Sequence, residues 1–285
     1  MSKRFPLTFI VVLIAAMIWS IPFWWVLSLS FQPNDILQKT TSNTAMGFIP
    51  LPFTLENYYL IWGQSFFDWF INSAIIAVTM TVFATILCSL SGYAFARIDF
   101  VGKKIIYPIV LAGLMIPGEL LFIPLFTQFS SLGLNNSFTG LILPRLAVPF
   151  GVFIMTQYYK GVPNEVEEAA ILDGANRFQI WYRIMVPLSI PAMITVAIVT
   201  FGFAWNDYLW PLISLSAQDM RTLQVGIALQ IGARMQEYMG TSLAGVIVSS
   251  VPTIILLIYF QKYLLRGFAI GSKSVSYTHL TLPTN

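Results

Sequence analysis

Charge is scarce in this chain. Charged side chains are 9% of its 285 residues, against 57% hydrophobic and 15% aromatic. A soluble domain of this length carries more charge, and a mean hydropathy of +0.76 agrees that the main solvent of the chain is lipid. Cysteine occurs once, as Cys88 inside an apolar run. That excludes an internal disulfide framework and leaves Cys88 the role of a small buried hydrophobe. Histidine also occurs once, as His279 near the C-terminal end. No Cys/His cluster is available for a metal, and no Cys/His pair for nucleophilic catalysis, so neither catalytic nor metal-ligating residues are expected. A G-x-x-x-x-G-K-[ST] phosphate loop is missing as well; Gly102-Lys103-Lys104 is the nearest fragment and lacks the rest. The chain therefore cannot bind ATP by that route and is expected to hold no cofactor of its own. Any energy it uses comes from a partner or from an ion gradient. The formal net charge of +3 does not imply nucleic acid.

What the chain has is long apolar runs. Six segments, near 6–31, 69–96, 105–126, 137–159, 186–210 and 243–265, reach the length of about 20 residues that a helix needs to cross a hydrocarbon core. The expected fold class is an all-α membrane protein with six transmembrane helices. The first run follows Lys3 and Arg4 as a signal peptide does, but it outlasts a typical h-region and meets no small-residue cleavage site, so it reads as a retained anchor. With the N-terminus inside, Lys3, Arg4, Arg97, Lys103, Lys104, Lys160, Arg177, Arg183, Lys262 and Arg266 all fall on the cytoplasmic side, whereas the outer segments carry only Lys39, Arg221 and Arg234. This asymmetry sets both termini in the cytoplasm. Trp19, Trp24, Trp25, Trp62, Trp69, Trp205 and Trp210 lie at or near segment ends, as interfacial aromatic belts do.

Against this background the loop 160–187 stands out, because it gathers Glu165, Glu167, Glu168 and Asp173 into one stretch. Pro163 suits the first turn of a helix, and the glutamates then place negative charge where the helix dipole favours it. Ala169 and Ala170 favour helix and let another backbone come close, while Gly174 can take the left-handed conformation that ends a helix. A second helical piece from about Asn176 leads to Pro187 and the fifth span. The outcome is a compact knob with an acidic edge. On composition alone, a merely solvated loop explains the same residues.

Residue order goes further. Glu168-Ala169-Ala170, three residues, Gly174, nine residues, then Ile184-x-Val186-Pro187 resembles the cytoplasmic signature of permease subunits of bacterial ABC importers, with Val186 in place of the usual leucine. "IPFWWVLSLSF", "FINSAIIA", "GYAFARIDF", "LILPRLAVPFGVFIMTQYYKGVP", "WNDYLWPL" and "QKYLLRG" resemble their counterparts in the carbohydrate, maltose-type branch, so the likeness covers roughly 23–271. One residue departs: Arg145 sits early in the fourth segment where relatives usually have an aromatic or aliphatic residue, and a cation there needs a partner or a route to the interface.

The resemblance implies a type I ABC importer permease fold, in a bacterial inner membrane, spanning 1–271 with an outer loop at about 211–242. It implies that the knob is a coupling helix, with Glu168, Ala169, Ala170, Asp173, Gly174 and Pro187 as the ATPase-coupling residues. The implied partners are a second permease subunit in a heterodimer, two ATPase subunits that bind ATP and Mg, and an extracytoplasmic solute-binding protein. The competing class is an ion-coupled secondary carrier of a small polar solute; such a carrier is expected to hold midplane carboxylates and inverted repeats, and neither repeat nor ion site is detected.

For the solute path, Trp205, Asn206 and Asp207 offer a flat apolar face and polar groups suited to sugar hydroxyls, though an interfacial aromatic cluster at a helix end accounts for them equally. Glu119, after Pro117 and Gly118, either lines a pathway, pairs with an internal cation or reaches an aqueous cavity. The tail 272–285, "SVSYTHLTLPTN" with its preceding residues, is polar and breaks with everything before it. It reads as a non-native ending outside the fold.

Overall fold

The computed structural model describes residues 5–39, 48–62, 65–234 and 238–272, and among these no strand occurs. The tail from 273, with His279, lies outside the described residues, as do Lys3 and Arg4. The helices are α1 (Phe5–Ser30), α2 (Asn34–Lys39), α3 (Glu56–Trp62), α4 (Phe66–Arg97), α5 (Lys103–Ala112), α6 (Phe122–Ser131), α7 (Phe138–Ile142), α8 (Pro149–Lys160), α9 (Asn164–Leu172), α10 (Arg177–Ile180), α11 (Val186–Asn206), α12 (Leu209–Ser214), α13 (Leu223–Arg234) and α14 (Met239–Ser272).

Four helical stretches, Leu7–Ser30, Phe66–Arg97, Arg177–Asn206 and Met239–Tyr263, are long and apolar enough to cross a membrane unbroken. The third and fourth expected spans are not straight. Lys103–Met115 and Gly118–Ser131 meet at a bend of 101°, and Phe138–Arg145 and Pro149–Lys160 at one of 47°, so six spans result if each bent pair is one span. Proline supplies the reason. Pro117 has no N–H to give and forces Ile116 into an extended conformation (φ −89°, ψ 114°), while Val148 before Pro149 sits at φ −115°, ψ 85°. The fifth span differs at both ends from the expected 186–210. It begins at Arg177, runs through a π-helical turn at Trp181–Met185, and stops at Asn206, because Asp207 is extended (φ −66°, ψ 123°). The π-turn directly precedes Pro187, whose ring would otherwise press on the carbonyl of Arg183.

The chain forms two compact units, one of residues 1–72 and 216–252 and the other of 73–215 and 253–285. In the first, Asn57 is buried and donates to the carbonyls of Ser30 (2.9 Å) and Gln32 (2.7 Å). Its Oδ1 accepts from Asn34 Nδ2 (2.9 Å) and Thr241 Oγ1 (3.2 Å). One amide thus ties the end of α1 to the start of α14. In the same unit Trp69 Nε1 donates to Gln218 O (3.3 Å), and Asn72 Nδ2 to Asp219 O (2.8 Å) and Arg221 O (3.0 Å). Part of the expected outer loop is therefore α13, held at its approach to α4.

The second unit packs Cys88 and Tyr93 of α4, Met155 and Tyr159 of α8, Ile180, Met185 and Val196 into one core. Small residues make the crossings possible, as membrane helix interfaces generally require. A Cβ on Gly92 would lie 2.5 Å from Met155 Cβ, and one on Gly151 would lie 2.5 Å from Cys88 Sγ. A chain of hydroxyls crosses this core: Ser89 Oγ and Tyr159 OH are 2.7 Å apart, Tyr159 OH and Ser189 Oγ 3.0 Å apart, and Trp181 Nε1 donates to Ser89 Oγ at 3.1 Å. Gly92→Ala is expected to destabilise by about 1–3 kcal/mol through overpacking. Gly202→Ala, where nothing lies within 4 Å of the new methyl group, is expected to cost nothing. Thermal unfolding of the two detergent-solubilised variants checks the contrast.

Candidate functional site

The acidic loop folds as a short helix with a fixed stop. Pro163 (φ −57°, ψ 141°) stands just before α9, one residue earlier than its expected place in the first turn. Gly174 takes φ +82°, and the stop is completed by Ala175 N donating to Ala170 O and Gly174 N to Ile171 O, both at 3.0 Å. This is the paired hydrogen-bond pattern by which a left-handed residue satisfies the last carbonyls of a helix. Asn176 then opens the next helix with a reciprocal cap. Its Oδ1 accepts from Gln179 N (2.9 Å), and Gln179 Oε1 accepts from Asn176 N (2.8 Å).

One face of the knob is anchored by charge. Glu167 is only 5% exposed; its Oε1 accepts from Tyr93 OH at 2.9 Å and from Arg177, and its Oε2 faces Arg97 Nε at 3.9 Å. Arg97, at the last turn of α4, also donates to the carbonyls of Tyr159 (2.6 Å) and Val162 and to Asn164 Oδ1. The end of α8, the start of α9 and the start of α10 are thus gripped from one end of α4. Ala170, buried beside Glu167 on the same helix face, gives room for this approach.

The other face is open. Glu168, Ala169, Asp173 and Gly174 are exposed there, together with Leu172 (88%), Phe178 (62%) and Ile171 (45%). Glu168 has no ion-pair partner among the described residues. Of the six expected coupling residues, Glu168, Ala169, Asp173 and Gly174 lie on this exposed surface, Pro187 lies beyond the π-turn, and Ala170 lies beneath. Missing from the expected set is Glu167, whose role in the sequence reading was only to favour the helix dipole. Its spacing of three residues from Ala170 was the available signal, because it puts both on one face.

The residues expected along a solute path separate by depth. Trp205 is buried at 2%, stacked on Phe201 with ring centroids 5.7 Å apart, and so shows no face to solvent. Trp69 and Trp210 are equally buried, which removes these three from the interfacial belt, whereas Trp19, Trp24, Trp25 and Trp62 are exposed. Asn206 is exposed and donates to Gly202 O (2.8 Å), while Asp207 accepts from Arg145 Nη2 at 2.8 Å. Glu119 is exposed in a 3₁₀ turn, and its carboxylate has no partner among the described residues. Among the described residues no three His, Cys, Asp or Glu side chains gather to hold a metal.

A family described as the binding-protein-dependent transport system inner membrane component matches residues 84–269, which include the knob and the core behind it. The chain belongs to this family. The permease is 36% identical over 244 residues to the arabinooligosaccharides transport system permease protein AraQ of Halalkalibacterium halodurans, covering 85% of this chain and 86% of the relative. It is 34% identical to the trehalose transport system permease protein SugB of Mycobacterium tuberculosis, covering 88% and 91% of the two chains. Its fold matches a chain of a bacterial ABC transporter involved in the import of the acidic polysaccharide alginate, with a TM-score of 0.79 at 24% identity over 92% of the permease and 98% of that chain. The permease is accordingly a multi-pass inner-membrane transport subunit, neither an enzyme nor an ion-coupled carrier.

Removing the charge of Glu167 leaves Arg97 without its buried counter-ion. Glu167→Gln in the permease is expected to cost about 3 kcal/mol, whereas Glu168→Gln on the open face costs under about 0.5 kcal/mol. Thermal unfolding in detergent, with limited proteolysis of the loop, measures both.

Proposed function

We propose that this chain is one of two membrane subunits of an ATP-driven importer that carries a sugar or sugar derivative into the cell, and that α9 with Gly174 is the lever on which a separate ATPase subunit acts. The observation that carries the reading is the two-faced knob: Glu167 clamps one side into the end of α4, and the other presents Glu168, Leu172 and Phe178 to a receiving surface. A helix clamped in this way moves as one piece with the span behind it. Family membership and the names of the relatives, for arabinooligosaccharides and trehalose, support sugar as the cargo. The partners in this reading are a second permease, two ATPase subunits that bind ATP and Mg, and an extracytoplasmic solute-binding protein that meets the chain around α13. Coupling falls to Glu168, Ala169, Ala170, Asp173, Gly174 and Pro187. The solute path in this reading runs by Trp205, Asn206, Asp207 and Glu119, of which Trp205 is buried against Phe201.

Gly174 tests the lever without disturbing the core. Its φ is +82° and nothing lies within 4 Å of an added Cβ, so Gly174→Val acts through backbone strain of about 1–2 kcal/mol and not through a clash. The variant is expected to insert normally but to lose most ATPase co-purification and most uptake of labelled trehalose and arabinotriose. Glu168→Gln is expected to reduce both more weakly. Wild-type values for Gly174→Val would reduce the knob to a solvated connector.

The orientation follows from the basic residues, with both termini and the knob cytoplasmic. In a Cys88→Ala background, single cysteines at Lys104, Gly174 and Gly267 are expected to resist an impermeant thiol reagent in intact cells and to react after permeabilisation. Labelling of Gly174→Cys from outside would invert the topology and remove the lever from the ATPase.

A further inference from the structure

Three interruptions of the membrane helices meet at one guanidinium. Arg145 itself ends the short 3₁₀ turn Leu143–Arg145 at the break in the fourth span. Its Nη2 reaches Asp207 Oδ2 at 2.8 Å, and Asp207 is the extended residue that ends the fifth span. Its guanidinium carbon lies 5.3 Å from the ring centroid of Phe122, just past the break in the third span, and its Nη1 lies 3.8 Å from where a Cβ of Gly118 would stand. Asp207 Oδ1 faces Trp210 N at 3.4 Å, at the start of α12. The Arg145 and Asp207 side chains keep 31% and 18% of their surface exposed.

A charged pair within apolar spans is costly, and broken helices in membranes persist where they are buried in protein or line a water-filled cavity; the partial exposure of this pair favours the second. The breaks free polar groups, and the pair adds a fork of donors beside a carboxylate acceptor. Adjacent hydroxyls of a sugar each donate and accept, and so match this alternation. The surrounding charge limits which sugar fits. Arg145 and Asp207 cancel, and Glu119, which follows Gly118 in the chain and has no ion-pair partner among the described residues, adds an acidic group to this stretch.

We propose that the Arg145–Asp207 pair is a polar seat in the solute path, which takes adjacent hydroxyls of an uncharged sugar and, with acidic Glu119 following Gly118, disfavours an anionic one. This deepens the importer reading and rests on it. Arg145, 31% exposed, both offers the N–H groups not engaged by Asp207 to the solute and holds Asp207 in place as acceptor.

The test uses the assembled importer and labelled arabinotriose or trehalose, with a uronic acid trisaccharide as competitor. The double variant Arg145→Ala/Asp207→Asn removes the pair without stranding either charge. It is expected to raise the KM for uptake about tenfold or more while ATPase co-purification stays normal. A KM within about twofold of wild type would overturn the seat and make the pair a structural tie only. Glu119 has no side-chain partner among the described residues, so Glu119→Gln is expected to leave the fold intact. It is expected to strengthen inhibition by the uronic acid trisaccharide relative to wild type, and an unchanged ratio would overturn the charge selection. If wild type instead imports the uronic acid sugar and not the neutral ones, the seat is overturned while the importer stands. If it imports no sugar of either kind, the importer reading itself fails, and the seat with it.

Discussion

A single buried carboxylate organises the end of the larger unit at which α4, α9 and α10 meet. Glu167 sits among Tyr93 and Arg97 of α4 and Arg177 of α10. Burying a charge is tolerable only when it is paired and hydrogen-bonded. Here the pairing also decides where the chain goes: Arg97 satisfies the carbonyls of Tyr159 and Val162, so the turn from α8 into α9 is fixed by the same side chain that neutralises Glu167. Without that pair, α9 is a short helix with few apolar contacts and no reason to hold one orientation.

The sequence showed much of this arrangement and hid its centre. Apolar runs of sufficient length exposed the spans, because lipid demands them irrespective of partners. Gly174 and Asn176 were legible as helix stop and helix start, since both signals are local: one needs a residue that accepts positive φ, the other a short side-chain acceptor. Glu167 was not. Its neighbours Glu165 and Glu168 carry the same charge in the same turn, and only the three-dimensional position of Arg97, 70 residues away, separates a buried counter-ion from two solvated ones. The breaks in the third and fourth spans had Pro117 and Pro149 as markers, but a proline within an apolar run either kinks a span or is absorbed by it, and neighbouring helices decide which.

Arg145 illustrates the same limit from the other side. Its position was conspicuous in the sequence and its need for a partner followed from physics, yet Asp207 lies 62 residues on, at a helix end that was expected to run further. Trp205 and Trp210 fit an interfacial belt because they flank that end, yet both are buried. Aromatic size suits an interface or a core equally well. Trp205 is covered within α11 by stacking on Phe201, and the stop at Asp207 sets Trp210 on α12, where it meets Phe122 and Phe129 at 6.2 Å.

The glycine contacts in the core bear on how the larger unit can deform. At Gly92 and Gly151 the backbone of one helix touches side chains of another with no space for even a methyl group between them. Sliding α4 past α8 by part of a turn would drive a neighbouring bulky residue into each of those gaps, so shear is closed to this pair. What remains are rotations at places where helical hydrogen bonding already stops, at Ile116–Pro117 and around Val148. Between α4 and α8 the packing leaves little room for sliding, so a change in the shape of this unit falls to angles at its interruptions, of which these two, the π-turn at Trp181–Met185 and the stop at Asp207 are examples.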